Sequence, residues 1–140
     1  MSKRSRAREV VLQLLYQDDL NPGNDVSLGE QFLSERLRRD PDAMDFAQML
    51  LSGVRRNRQE LDELLTAKAD NWSLGRMAAT DRNILRLGAF ELIFTDTPRS
   101  VVINEAVELA KRFGGAHSGQ FVNGLLDGLV PRPTEGGSSS

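Results

Sequence analysis

Between Ile84 and Phe94 the apolar residues Ile84, Leu85, Leu87, Ala89, Phe90, Leu92, Ile93 and Phe94 fall at nearly every angle around a helical axis. A helix that is apolar on all sides is stable in water only when neighbours cover most of it. The rest of the 140-residue chain must therefore supply the cover, and it does not supply a sheet: no alternating Val/Ile/Thr run with an Asn-Gly turn occurs. Amphipathic helices are what remains.

They are legible on both sides of this segment. Ala7, Val10, Val11, Leu14 and Leu15 follow the i, i+3, i+4, i+7 spacing of one helix face, and Pro22 and Gly23 in "DDLNPGND" end it. Leu28, Phe32, Leu33 and Leu37 form a second stripe running to Arg38 and Arg39, which suit a helix C-terminus. Asp40, Pro41 and Asp42 read as the N-cap and first turn of a third helix, which carries Phe46, Leu50, Leu51, Val54, Leu61, Leu64 and Leu65 with Gly53 as a weak middle. These three are expected to bundle. The stretch "ADNWSLGRMAATDRN" connects the halves, with Asn71 capping a short turn around Trp72 and Gly75 breaking it. Thr80 or Asp81 should cap the central helix. Pro98 and Ser100 start the next one, closed by a left-handed cap at Gly114 and Gly115, and Ser118 should cap the last, with Val122, Leu125, Leu126 and Leu129 as its stripe. The expected fold is all-α, about seven helices in two packed subdomains of one domain over 1–130, the first about 1–67 and the second about 78–130. The tail 131–140, "RPTEGGSSS" after Pro131, is expected to be disordered.

Little in the chain offers chemistry. It has no cysteine, which removes disulfides, thiolate metal sites and cysteine nucleophiles, and a single histidine, His117, placed between a Gly-Gly and a Ser-Gly as a loop residue. The glycines at 114, 115, 119, 124 and 128 match no phosphate-loop spacing. No catalytic residue, cofactor or metal site is expected. No apolar run approaches the roughly 18 to 20 residues that span a bilayer, so no membrane association is expected and the protein is read as cytoplasmic. The pairs Asp18 with Asp19 and Glu105 with Glu108 read as solvated helix faces, with Glu108 and Arg112 spaced for a surface pair.

Charge is more informative. Lys3, Arg4, Arg6 and Arg8 place four cations and no acid in the first eight residues; removing them from the 18 basic residues leaves 14 against 20 acidic ones, so residues 9–140 carry a net −6. A short basic arm thus precedes an acidic body. Tyr16, the only tyrosine, lies roughly 170° from the centre of the first apolar stripe at about 100° per residue, and so projects away from the core. Phe121 sits at the edge of the last stripe beside Gln120 and Asn123, half core and half platform, while Gly124 and Gly128 fall one turn apart and are expected to mark close helix packing. Cations for phosphates, rings for bases and amides for base edges make up the composition of a single-stranded nucleic-acid site.

The blocks "RAREVVLQLLYQ", "DRNILRLGAFEL", "VVINEAVELAKRFG" and "FVNGLLD", in this order and spacing, resemble the NusB transcription antitermination factor family from about Arg4 to Val130. The resemblance implies an all-α fold in two helical subdomains and a non-catalytic RNA adaptor. It implies binding to boxA-type RNA of ribosomal RNA operons, together with the small-subunit ribosomal protein NusE, and action on the RNA polymerase elongation complex with other Nus factors. Carried over by position, it makes Lys3, Arg4, Arg6, Arg8, Tyr16, Gln120 and Phe121 the RNA surface and Asp81 part of the ribosomal-protein interface. Position 117 is histidine where related chains often carry an acid. A similar module fronts some RNA cytosine methyltransferases, but those need a cysteine nucleophile, which these 140 residues lack. The alternative from another class is a homodimeric helical interaction module without direct RNA binding.

Overall fold

The computed structural model describes residues 2–23, 26–69 and 74–129, the side chains of 26–28 excepted. The Leu28 side chain, the Asn71 cap with Trp72, and the tail after Leu129 lie outside the described residues. Seven α-helices and no strand occur among those described: α1 Lys3–Leu20, α2 Val26–Leu37, α3 Pro41–Arg56, α4 Arg58–Lys68, α5 Ala79–Phe94, α6 Arg99–Phe113 and α7 Ser118–Asp127, with one 3₁₀ turn at Leu74–Arg76 before α5. The all-α expectation is met.

The helix that is apolar all round is α5. It packs against α1, α3, α4, α6 and α7, and every residue from Asn83 to Glu91 is buried. Its first turn is half-buried and its last turn emerges, leaving Ile93 and Phe94 exposed. At two of these contacts a neighbour's side chain rests on a glycine: a Cβ at Gly53 on α3 would overlap the Phe90 ring, and one at Gly88 on α5 would lie 2.7 Å from Leu126 Cδ1. Gly53 therefore makes room for an aromatic ring of α5 in the middle of α3. One core cluster takes residues from all seven helices, among them Leu33, Leu50, Leu61, Ile84, Ile103 and Leu126.

Several local expectations are corrected. Helix α1 begins at Lys3, because Ser2 Oγ accepts from the Ser5 N–H at 3.0 Å and caps it, so the cations lie on helical turns and are not a loose arm. The single long third helix is two, broken at Asn57, whose Nδ2 donates to the Gly53 carbonyl at 2.8 Å and whose backbone leaves helical geometry. The Asp40 cap is as expected, its Oδ1 accepting from the Ala43 N–H at 3.1 Å. Helix α5 starts after Ala78, which places Thr80 and Asp81 inside its first turn. No left-handed residue closes α6: Gly114 has φ −98°, and a Cβ there would meet Ser118 Oγ at 2.6 Å and the Ala110 carbonyl at 2.8 Å. Ser118 is the first residue of α7 and not its cap; its Oγ accepts from the Gly115 N–H at 2.9 Å. Gly124 meets nothing within 4 Å, and Gly128 only backbone oxygens from 3.8 Å outward, so neither marks close packing.

Of the acids read as solvated, Glu108 is exposed as expected, whereas Asp18, Asp19 and Glu105 are drawn to cations of other helices. Asp18 takes a two-pronged pair from Arg55 at 2.8 and 2.9 Å, tying α1 to α3. The Asp19 side chain, 5% exposed, accepts from Arg58, Arg82, Asn83 and Arg86 at 2.9 to 3.1 Å, and Arg86 in turn holds Asp62 of α4 at 2.7 and 3.0 Å. Glu105 lies 3.5 Å from Arg8. Arg112 pairs with Glu9 of α1 at 3.1 Å, and the Glu108 partner is Lys111. Burial pushes the Asp19 carboxyl up, but the hydrogen bonds from Asn83 and Arg82 and the charge of Arg86 outweigh it, and its pKa lies below the ordinary carboxylate value.

A carboxyl depressed in the folded state contributes stability above its unfolded pKa and loses it as pH falls through the folded value. Wild-type stability should therefore decline as pH drops below about 4, and Asp19→Ala should lower stability near neutrality by about 3 kcal/mol while flattening that acid limb. Urea unfolding at a series of pH values checks both.

Candidate nucleic-acid interface

Helix geometry separates the four N-terminal cations. Arg4 and Arg8 are one turn apart on one face, whereas Arg6 is about 200° from Arg4. Arg4 lays its guanidinium over the Phe46 ring, 4.3 Å from the centroid, a cation–π contact at the surface. Arg6 faces the other way, into a cleft shared with the end of α2. Lys3 lies between them, 3.7 Å from Asp40. Lys3, Arg4 and Arg6 are exposed.

Arg8 departs from the expectation of a free cation. It is 3% exposed, donates from Nε and Nη2 to the two carboxylate oxygens of Glu91 at 2.8 and 2.5 Å, and has Glu105 at 3.5 Å and the Phe46 ring at 5.0 Å. A guanidinium so enclosed neutralises a buried carboxylate on α5 and is not presented to solvent.

Tyr16 is 36% exposed, as its position on α1 requires. It lines a groove of about 580 Å³ together with Phe32 and Arg36 of α2, Phe113 of α6, and Gln13 of its own helix. Within the protein the Gln13 Oε1 is a buried acceptor with no hydrogen-bond partner. Arg36 stacks over Phe32 at 4.4 Å, so the rim is cationic and the floor aromatic. On α7, Gln120 is exposed and Phe121 is half-buried against the core. Asp81 accepts from Ser118 Oγ at 3.1 Å, which ties the first turn of α5 to the turn that launches α7, and Thr80 beside it reaches the Tyr16 groove.

The structure thus brings Tyr16 to a built groove and keeps Lys3, Arg4 and Arg6 available, but it divides the cations between two faces. It also adds Gln13, Phe32, Arg36 and Phe113. Their signal in the sequence was weak: Arg36 to Arg39, "RLRR", reads equally well as an ordinary helix C-terminus.

If Arg8 is structural, Arg8→Ala and Glu91→Ala should each destabilise the fold by about 3 to 5 kcal/mol, since each strands a buried charge, whereas Arg6→Ala should stay within about 0.5 kcal/mol. The apolar double replacement Arg8→Met with Glu91→Leu should recover much of the loss. Chemical unfolding of the four variants tests this.

A sequence model of the NusB family matches residues 5–131. A curated relative, the transcription antitermination protein NusB of Anaeromyxobacter dehalogenans strain 2CP-1, is 50% identical over 136 residues, covering 93% of this chain and 94% of that protein. Among solved structures, the fold matches T. maritima NusB at a TM-score of 0.80 and 40% identity, over 89% of this chain and 87% of that one. It also matches a chain in a crystal structure of the antitermination factors NusB and NusE in complex with dsRNA, at a TM-score of 0.81 and 31% identity, over 92% and 96% of the two chains.

Proposed function

The chain belongs to the NusB family, and from that premise we propose that it is a transcription antitermination factor. It binds a boxA-type RNA of ribosomal RNA operons together with the ribosomal protein NusE, and the assembly keeps RNA polymerase elongating. In this reading the protein has no catalytic task and works in the cytoplasm. It is a rigid adaptor that holds a strand and a partner at once.

The observation that carries the reading is the Tyr16 groove. Its aromatic floor offers ring faces on which bases stack, at about 1 to 3 kcal/mol per base. A buried acceptor without a partner costs about 1 to 3 kcal/mol, which an N–H donor from a bound base would recover at Gln13 Oε1. Lys3, Arg4 and Arg6 supply phosphate contacts from the first turns of the same helix, Gln120 and Phe121 extend the surface on α7, and Asp81 belongs to the face that meets the ribosomal protein. Arg8 acts here through position, by fixing α1 on α5.

The rival, a homodimeric module without RNA binding, draws on a different patch: Met49, Phe94 and Val101 are exposed together beside the start of α1. Light scattering and RNA titration separate the two readings. A dimer that fails to bind boxA-type RNA with and without the ribosomal protein would favour the rival.

Tyr16→Ala and Phe121→Ala should each weaken RNA binding by about 1 to 3 kcal/mol, measured by fluorescence titration in the presence of the ribosomal protein. Phe121→Ala should also lower the melting temperature, because its ring is partly core; Tyr16→Ala should not. Unchanged affinity in both variants would remove the rings from the interface.

A further inference from the structure

Among the described residues nine cations lie within 4.0 Å of a carboxylate of this protein. Arg8, Arg55, Arg58, Arg82, Arg86 and Arg112 each hold an acid of another helix within 4.0 Å. Among the described residues, those with no carboxylate in that range are Arg56, Lys68 and Arg76 elsewhere, and Arg4, Arg6, Arg36, Arg38 and Arg39 at one end. Four of that last group, with Lys3, line a single cleft of about 480 Å³ between the start of α1 and the turn from α2 to α3. Its acids are Glu35 and Asp40, and Asp40 is already engaged by the Ala43 N–H and by Lys3.

The fold makes this end positive. Lys3 meets Asp40 at one end of α1 and Asp18 meets Arg55 at the other, so α1 and α3 run parallel and begin side by side here. Their N-terminal dipole ends add to the guanidiniums. Arg38 and Arg39 are exposed on a turn closed by the Asp40 N–H to Leu37 carbonyl bond at 2.9 Å; they complement the C-terminal dipole end of α2 but neither is held by a carboxylate. Like charges gathered in a cleft repel one another and focus potential outward, which disfavours the folded protein unless an anion enters. Arg36 lines both this cleft and the Tyr16 groove, so the two adjoin at its side chain.

We propose that this cleft is a phosphate track: an RNA strand whose bases occupy the Tyr16 groove continues past Arg36, and the sugar–phosphate chain flanking the recognised element lies along Arg6, Arg38 and Arg39. The proposal rests on the RNA-binding reading and extends it. Apart from Leu37 and Ala43 the cleft is lined by charged side chains and one serine, with no ring to stack a base and no amide to read one. The track is therefore indifferent to sequence, a contact that positions and does not specify.

The test compares wild type with the double variant Arg38→Ala/Arg39→Ala, which removes no ion pair and should stay folded, with only a small loss of stability from the end of α2. Each is titrated, with the ribosomal protein present, across a salt series with boxA-type RNA alone and with the same RNA extended at either end by a uridine or an adenosine tract. Extension should steepen the wild-type salt dependence. In the double variant the slope on extended RNA should be shallower by about 0.7 per lost charge, about 1.4 in all, equally for both tracts, with Arg38→Lys/Arg39→Lys restoring it and the unextended RNA bound alike by both. An unchanged slope on extended RNA, while Tyr16→Ala still weakens the short RNA, overturns the track and leaves the function standing. A change already present on the unextended RNA overturns the flanking placement, and a loss confined to ribosomal-protein affinity makes the cleft a protein contact and overturns it too. Failure of wild type to bind any of these RNAs overturns both readings together.

Discussion

Helix α1 is clamped to α5 by opposite charges exchanged at its two ends. Near its start it gives a guanidinium, Arg8, to the buried carboxylate of Glu91; near its finish it gives a carboxylate, Asp19, to Arg82, Asn83 and Arg86. The helices are antiparallel, and the reversed polarity of the two contacts fixes their register. Sliding α1 by one turn would leave a buried charge without a counterion at both ends, at several kcal/mol each. Apolar burial of α1 residues such as Val11 and Leu15 draws the helix into the core but is far more tolerant of such a slip. The ion pairs choose among packings that burial alone would leave close in energy.

That register decides what α1 shows to solvent. With Arg8 turned inward, Lys3 and Arg6 face away from α5 and Tyr16 comes to lie over the junction with α2 and the end of α6. The groove exists because three helices end or cross there with aromatic residues, and its rim is cationic because Arg36 covers Phe32. The same helix thus seals the core with one face and builds the site with the other. Asp81 joins the arrangement through Ser118, whose hydroxyl donates to it while accepting from Gly115, so the first turn of α5 and the start of α7 are mechanically one piece.

Features that depend on near neighbours are legible in the sequence. The all-round apolar face of α5, the Asp40 cap with Pro41, the outward Tyr16 and the divided character of Phe121 each follow from spacing within a turn or two. What escaped was set by partners far along the chain. Nothing local tells Asp19 from a solvated acid, since its guanidiniums arrive from residues 58, 82 and 86. Arg8 resembles Arg6 in sequence and differs from it only because Glu91 waits across the core. The break at Asn57 was hidden by a periodic apolar pattern that continues across it, and the glycines at 53 and 114 were read through backbone freedom when the cause was the Phe90 ring and the Ser118 side chain.

The internal pairing of charge has a consequence for motion before contact. Because so many guanidiniums cancel against carboxylates inside, the uncancelled cations concentrate at the shared beginning of α1 and α3 while the excess of acid is distributed over the remainder. Such a molecule carries a charge separation that its net charge of −2 does not describe. Near a polyanion it experiences a torque as well as a force, and it tumbles into alignment within the Debye length, about 8 Å at physiological ionic strength. Collisions are then biased toward one pole, although the body as a whole is repelled.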